Sequence, residues 1–469
     1  MNPLAIESHL KLVLIQWMVI MAVAWVFGRL GQRLGQPLAV GEIFGGLLLG
    51  PSAFGLVWPE AMQALFPAAT SQSLQLLAKL GLIFLMFQVG MEFDFGHLTT
   101  RSRTVLVVSA VGILAPFLLG LGISPWLQRE FAPDTNRLGF QLFACIALSI
   151  SALPIMGRIL LEMGLERTPL GVIAVSAAAM DDVVGWVLLA VATALVTAKF
   201  SWGPLAGQVF GVVGFFLLLL LVVGPALRRF WRCSFCVPAE DQGGKSLTRL
   251  LACTFAFGSP MLKSEGCAGQ ATCGLTPRPV NPVQMPPTFM AILLTVLFGC
   301  AVVTNVLGVF SIFGAFLLGV ALHQELTLVR AWRERFRDFV LVALVPIFFT
   351  NTGLRTEVGA LATPQAWLGC AVVFLAGVAG KLGGCYVGAR WTGSSAREAA
   401  CVAALMNTRA LMGLVAINIG YDLGLLTKPL FTMFVIMALL TTVMTGPLLR
   451  WLLPRELRAG EAVAQGPTC

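Results

Sequence analysis

Asp181 and Asp182 stand side by side in "SAAAMDDVVGWVLLA", residues 176–190, with no compensating charge among their neighbours. Two adjacent carboxylates in an apolar run cannot both be ionised cheaply, and one counter-charge cannot neutralise both. Neighbours on a helix point about 100° apart, so one aspartate can meet a cation while the other looks into a water-filled cavity. Lys381 is the natural cation. It lies in "GVAGKLGGCYVG", residues 377–388, where glycines permit close helix approach and leave the lysine few other partners. A lysine, unlike an arginine, can lose its proton when buried, which suits a cycle that breaks and remakes an ion pair. Three such groups would titrate as a coupled set.

The remaining intramembrane charges read differently. Glu42, in "VGEIFGGLLLGP", reads as scaffold, paired with a helix end or with Arg409. Arg409, in "MNTRALMGL", reads as a fixed structural cation, and Lys79 lies nearer a span end. Two apolar runs also carry breakers at comparable depth. "ALSISALPIMGRIL" has Pro154 after Ser149 and Ser151, and "AALMNTRALMGLVAINIG" has Asn407, Thr408, Arg409 and Gly413. Either alone suggests a kinked core helix. Together, in the second span of the triplets 104–197 and 364–452, they predict paired discontinuous helices in an inverted repeat. Half-helix ends then aim dipoles and free carbonyls at the bilayer centre, beside the aspartates.

Helices must position these groups within a membrane. The 469 residues are 58% hydrophobic and 11% charged, where soluble domains carry about 25% charge. Apolar runs recur that are long enough to cross roughly 30 Å of hydrocarbon as helices, and too long for barrel strands. Thirteen spans are expected, near 12–29, 38–55, 74–92, 104–125, 138–160, 168–197, 204–227, 286–304, 306–322, 338–354, 364–389, 398–420 and 429–452. The fold class is an all-α polytopic membrane protein, with a membrane domain over 1–455 and a short cytosolic tail at 456–469. The first eleven residues lack the basic flank and cleavage site of a signal peptide, so the first span reads as a retained helix. With the N-terminus outside, arginines concentrate in the inner loops and the C-terminus is cytoplasmic. The net charge of +9 is then mostly topology and calls for no nucleic acid.

Residues 233–284 break the pattern and read as an atypical cytosolic loop insertion. Five of the eleven cysteines fall there, but the spacing fits no zinc site. "GGKS" lacks the first glycine of a phosphate loop, since position 239 is Ala239. The other six cysteines read as packing residues. No metal site and no cofactor is expected. The three histidines, His9, His97 and His323, lie in the tail or loops, and no nucleophile–base motif argues for an enzyme.

Several motifs resemble the monovalent cation:proton antiporter-2 family: "QPLAVGEIFGGLLLGPSAFG" (36–55), "LGLIFLMFQVGMEFD" (80–94), "SISALPIMGRIL" (149–160) and the aspartate pair. "GVFSIFGAFLLGVAL" (308–322), "VPIFFTNTGLRT" (345–356) and "MNTRALMGLVAINIGYDLGL" (406–425) complete the set. The last three are most similar to the branch that includes plant cation/H⁺ exchangers. The chain departs from Kef-type members in ending soon after its last span. The resemblance implies a sodium/proton antiporter-like fold, and a homodimer whose protomers have a core and a dimerisation domain and move in an elevator-like cycle. It places cation and proton binding on Asp182, and the ion pair of electrogenic members on Asp181 and Lys381.

The expected function is secondary active antiport of K⁺ or Na⁺ against H⁺ across the plasma or inner membrane, serving pH homeostasis. Asp182 would hold a proton or a dehydrated cation, never both. Ser149, Ser151, Thr408 and local carbonyls are candidate oxygen ligands. Two rivals are a passive cation channel, which lacks an evident filter loop, and a Na⁺-coupled organic solute symporter, which lacks a clear second site. The resemblance tilts towards K⁺, but selectivity depends on ligand number and site size, which sequence leaves open.

Overall fold

The computed structural model describes residues 3–36, 38–92, 102–163, 165, 168–197, 202–233 and 285–453. The predicted insertion, apart from Cys233, and the predicted tail lie outside these residues. Helix is the only regular structure among the described residues. The first half of the chain forms α1 (Pro3–Arg33), α2 (Leu38–Leu48), α3 (Phe54–Val57), α4 (Pro59–Leu65), α5 (Ala68–Met91), α6 (Ser102–Phe131), α7 (Arg137–Ser149), α8 (Leu153–Glu162) and α9 (Pro169–Thr197). Next come α10 (Trp202–Leu218), α11 (Gly224–Cys233), α12 (Pro287–Val306), α13 (Ser311–Leu322), α14 (Leu326–Phe339) and α15 (Val345–Arg355). The last helices are α16 (Pro364–Trp391), α17 (Ala396–Met406), α18 (Ala410–Asp422) and α19 (Lys428–Leu452).

Nine stretches among the described residues are long and apolar enough to cross a membrane. The pair α17 and α18, bent by 42°, makes a broken tenth. The remaining three predicted spans are α2, the pair α7 and α8, and α13, each helix too short to cross alone. The helix starts follow local chemistry. The Asn136 side chain accepts from Gly139 N and caps α7, Thr363 caps α16 ahead of Pro364, and Ser395 with Glu398 forms a capping box at α17. Two π turns, Leu219–Val223 and Val340–Leu344, end two residues before Pro225 and Pro346. A proline has no N–H and crowds the carbonyl four residues back; a wider turn there relieves both problems.

Two compact units are distinguished. One contains Met1–Leu82, Asp94–Trp202 and Leu341–Cys469; the other contains Ile83–Phe93 and Gly203–Val340. In the second unit, Trp332 packs edge-on against Phe87 at 4.7 Å and stacks on Phe336 at 4.2 Å. Arg232, at the end of α11, pairs there with Glu325.

The first unit holds both predicted triplets, α6 to α9 and α16 to α19, each a long helix, a broken helix and a long helix. Their first helices pack through glycine. A Cβ at Gly380 would stand 2.6 Å from Pro116 Cα, and one at Gly384 would stand 2.7 Å from Val111 O. Only a hydrogen in place of that Cβ lets α16 approach α6 so closely. This contact brings Lys381 inward: it is fully buried.

Candidate functional site

Both breaks lie where the sequence placed them. α7 ends at Ser149 and α8 begins at Leu153, while α17 ends at Met406 and α18 begins at Ala410. Pro154 falls in the first turn of α8, where its missing N–H leaves no intrahelical bond unmade. The two unwound stretches are tied together. Ala152 N donates to Thr408 O at 2.7 Å, and Ser151 Oγ donates to Met406 O at 2.9 Å.

The end of α7 and the start of α18 are dressed by charge and hydroxyl. Lys381 Nζ donates to Ser149 O at 2.7 Å, and Arg409 donates through Nη1 to Leu148 O and through Nη2 to Gly377 O at 2.6 Å. Two cations thus sit on the free carbonyls at the C-terminal end of α7, the negative end of its dipole. Thr442, from α19, accepts from Arg409 N at 3.2 Å and Ala410 N at 2.9 Å, capping the start of α18.

The two aspartates, adjacent on α9, meet opposite circumstances. Asp181 accepts from Ser109 Oγ at 2.7 Å through Oδ1. Its Oδ2 accepts from Ser151 Oγ at 3.0 Å and from Lys381 Nζ at 2.5 Å. Asp182 is only 2% exposed, yet neither of its oxygens completes a hydrogen bond. The donor on its side is the Leu153 backbone N–H at the start of α8, and it shares the field of Lys381 with Asp181. One carboxylate is saturated and charge-paired; the other is buried and coordinatively open.

The other predicted site residues divide. Ser151 belongs to the Asp181 cluster. Ser149 spends its hydroxyl on Cys145 O at 2.7 Å and Ile113 O at 3.2 Å. Thr408 spends its own on Leu405 O at 2.8 Å and meets Thr445 Oγ1 at 3.3 Å. Asn407 is fully buried, and neither atom of its amide has a hydrogen-bond partner. Glu42 is half-buried on α2. It is not the partner of Arg409, whose two terminal nitrogens go to carbonyls. The guanidinium fork is filled by a carbonyl at the end of α7 and one in the middle of α16.

Ser109 and Thr442 were missed. Ser109 is a lone hydroxyl in an apolar run and Thr442 one of several threonines in another, patterns that usually mean a back-bond to the helix's own carbonyl. Their partners come from α9, and from the α17–α18 break with α18, so no local signal marks them. Among the described residues no group of three His, Cys, Asp or Glu side chains is placed to hold a metal ion.

The transmembrane sodium/hydrogen exchanger family profile matches residues 18–286 and 280–455 of the chain. The Na(+)/H(+) antiporter NhaS4 of Synechocystis is 34% identical over 443 residues, which are 94% of this chain and 97% of that protein. Cation/H(+) antiporter 17 of Arabidopsis thaliana is 32% identical over 95% of this chain, which spans only 49% of that longer protein. The K(+)/H(+) antiporter 1 of Saccharomyces cerevisiae is 26% identical over 97% of the chain and 48% of its own length. In fold, the sodium proton antiporter MjNhaP1 of Methanocaldococcus jannaschii superposes with a TM-score of 0.59 at 13% identity, covering 96% of this chain and 99% of that one.

Proposed function

The chain belongs to the transmembrane sodium/hydrogen exchanger family, and on that premise we propose that it exchanges a monovalent cation for H⁺ with Asp182 as the exchanging group. The observation that carries this assignment is the contrast between two adjacent buried carboxylates. Asp181 has three donors, one of them Lys381; Asp182 has none that completes a bond. A buried carboxylate without donors is stabilised by taking up a proton or by taking up a cation that brings positive charge of its own. The two occupants compete for the same oxygens, so binding one releases the other. Alternating exposure of the break to the two sides then couples the fluxes, with no covalent step.

Lys381 is the bonded counter-charge of Asp181, and the oxygens of Asp182 are left without a bonded donor. Arg409 does not enter the exchange: its fork is occupied by Leu148 O and Gly377 O, and its charge supports the end of α7. The cargo is Na⁺ or K⁺, the ions named for NhaS4 and for the yeast relative. The arginine distribution supports an external N-terminus and a cytoplasmic C-terminus, and the family resemblance supports a homodimer. Two broken helices tied together at their breaks, together with the antiporter relatives, favour this reading over a channel.

The test is cation-driven proton movement in proteoliposomes, measured by a trapped pH dye. Wild type acidifies or alkalinises the lumen on a Na⁺ or K⁺ gradient, and Asp182→Asn does not. Exchange by Asp182→Asn at the wild-type rate removes Asp182 from the mechanism. A conductance of the unitary size of a channel, independent of any proton flux, removes antiport itself.

A further inference from the structure

We propose that Asn407 is a specificity ligand of the transported cation, its side-chain carbonyl oxygen joining Asp182 in the oxygen shell of a dehydrated Na⁺ or K⁺; this rests on the reading of Asp182 as the exchanging group. Buried side-chain amides are almost always bonded, and one that is not calls for a reason. Asn407 is fully buried, and both Nδ2 and Oδ1 are without a partner. The hydroxyls and the two terminal guanidinium nitrogens beside it are committed. Ser149 and Thr408 bond to carbonyls of their own helices, Ser151 to Asp181 and Met406 O, and Arg409 to Leu148 O and Gly377 O.

Placement supplies the second half of the case. The residues on either side of Asn407 bond through their carbonyls to Ser151 and Ala152. The stretch Ser151–Leu153 in turn meets Asp181 through Ser151 and Asp182 through the Leu153 N–H. Asn407, from the second unwound segment, and Asp182, from the continuous helix α9, therefore flank the same three residues. They are a carboxamide and a carboxylate, both buried and both open.

The chemistry divides between them. A carboxamide oxygen is a hard, neutral donor suited to an alkali cation, and it has no proton to exchange at any ordinary pH. It therefore adds an oxygen to the cation-bound state and takes no proton itself. Ligand number and cavity size set the preference among alkali cations, so one oxygen more or less changes the ratio of Na⁺ to K⁺ affinity.

The experiment compares wild type, Asn407→Ala, Asn407→Ser and Asp182→Asn in proteoliposomes, with Na⁺ and K⁺ titrated separately at fixed pH. Loss of one ligand is expected to raise the half-saturating concentration of the preferred cation about tenfold in Asn407→Ala. The other cation should shift less, so that the ratio between them moves, and Asn407→Ser should recover part of the difference. If the maximal rate falls while both half-saturating concentrations and their ratio stay at wild-type values, Asn407 serves only the helix break and the proposal is overturned. Should Asn407→Ala fail to fold, Asn407→Ser and Asn407→Gln decide the question by the same ratio. Exchange by Asp182→Asn at the wild-type rate would sink the Asp182 reading. An unmoved ratio alongside a dead Asp182→Asn sinks only the role of Asn407.

Discussion

Lys381 Nζ stands 2.5 Å from Asp181 Oδ2, with both side chains fully buried. The pair joins the first helix of one triplet to the third helix of the other. Taking two charges out of water costs several kcal/mol per ion, and the mutual attraction offsets it only when the remaining polar atoms are also bonded. Here they are: Ser109 and Ser151 serve Asp181, and Ser149 O serves Lys381.

Removing one member of this pair should be costly. Lys381→Ala leaves Asp181 ionised and buried, and is expected to lower stability by about 3–5 kcal/mol unless Asp181 takes up a proton. In proteoliposomes the variant should either lose exchange or lose its response to an imposed membrane potential. Full activity with unchanged voltage dependence would exclude Lys381 from charge coupling.

Ser109→Ala tests the hydroxyl that sequence reading passed over. It removes one donor from a charged acceptor, expected to cost about 1.5–3 kcal/mol, while the Lys381 pair remains. A thermal unfolding curve in detergent should move to lower temperature. Combined with Lys381→Ala the losses should fail to add, because both act on one carboxylate.

Arg409→Lys keeps the charge and loses the fork. An ammonium cannot hold Leu148 O and Gly377 O in the same bidentate geometry, so α7 and α16 lose a shared clamp. We expect a drop in melting temperature larger than that of Ser109→Ala, with little shift in the cation concentration for half-maximal exchange among molecules that remain folded. A large shift in that concentration would move Arg409 from scaffold to site.

Gly384→Ala probes how Lys381 is carried inward. The added Cβ would stand 2.7 Å from Val111 O and 2.8 Å from Ala115 Cβ, closer than backbone contact allows. Separating α6 from α16 is expected to cost about 1–3 kcal/mol. Because Ser109 lies on α6 and Lys381 on α16, exchange should fall as well. Gly383→Ala meets open space and should leave stability within about 0.5 kcal/mol of wild type.

Residue types and spacing alone determined a good deal. Lipid admits only backbone that bonds to itself, so the long apolar runs had to be helices. Charges that expensive had to be partnered, which singled out Asp181, Asp182, Lys381 and Arg409 in the chain. Pro154 and the Asn407–Arg409 stretch marked both breaks, because helix-breaking chemistry is local.

The tertiary structure decided what depends on direction and on distant partners. Adjacent aspartates are equivalent in sequence; which one meets Lys381 follows from the rotation of α9 against α16. Arg409 read as a fixed structural cation; that its fork goes to the end of α7 and the middle of α16 is visible only in the packed chain. Ser109 and Thr442 are ordinary hydroxyls until another helix presents a carboxylate or a pair of free N–H groups. Hydroxyls offered as ligands at 149 and 408 turned out to be spent on their own helices. Whether a polar side chain is free to bind an ion is a statement about what already surrounds it, and only the packed chain contains that information.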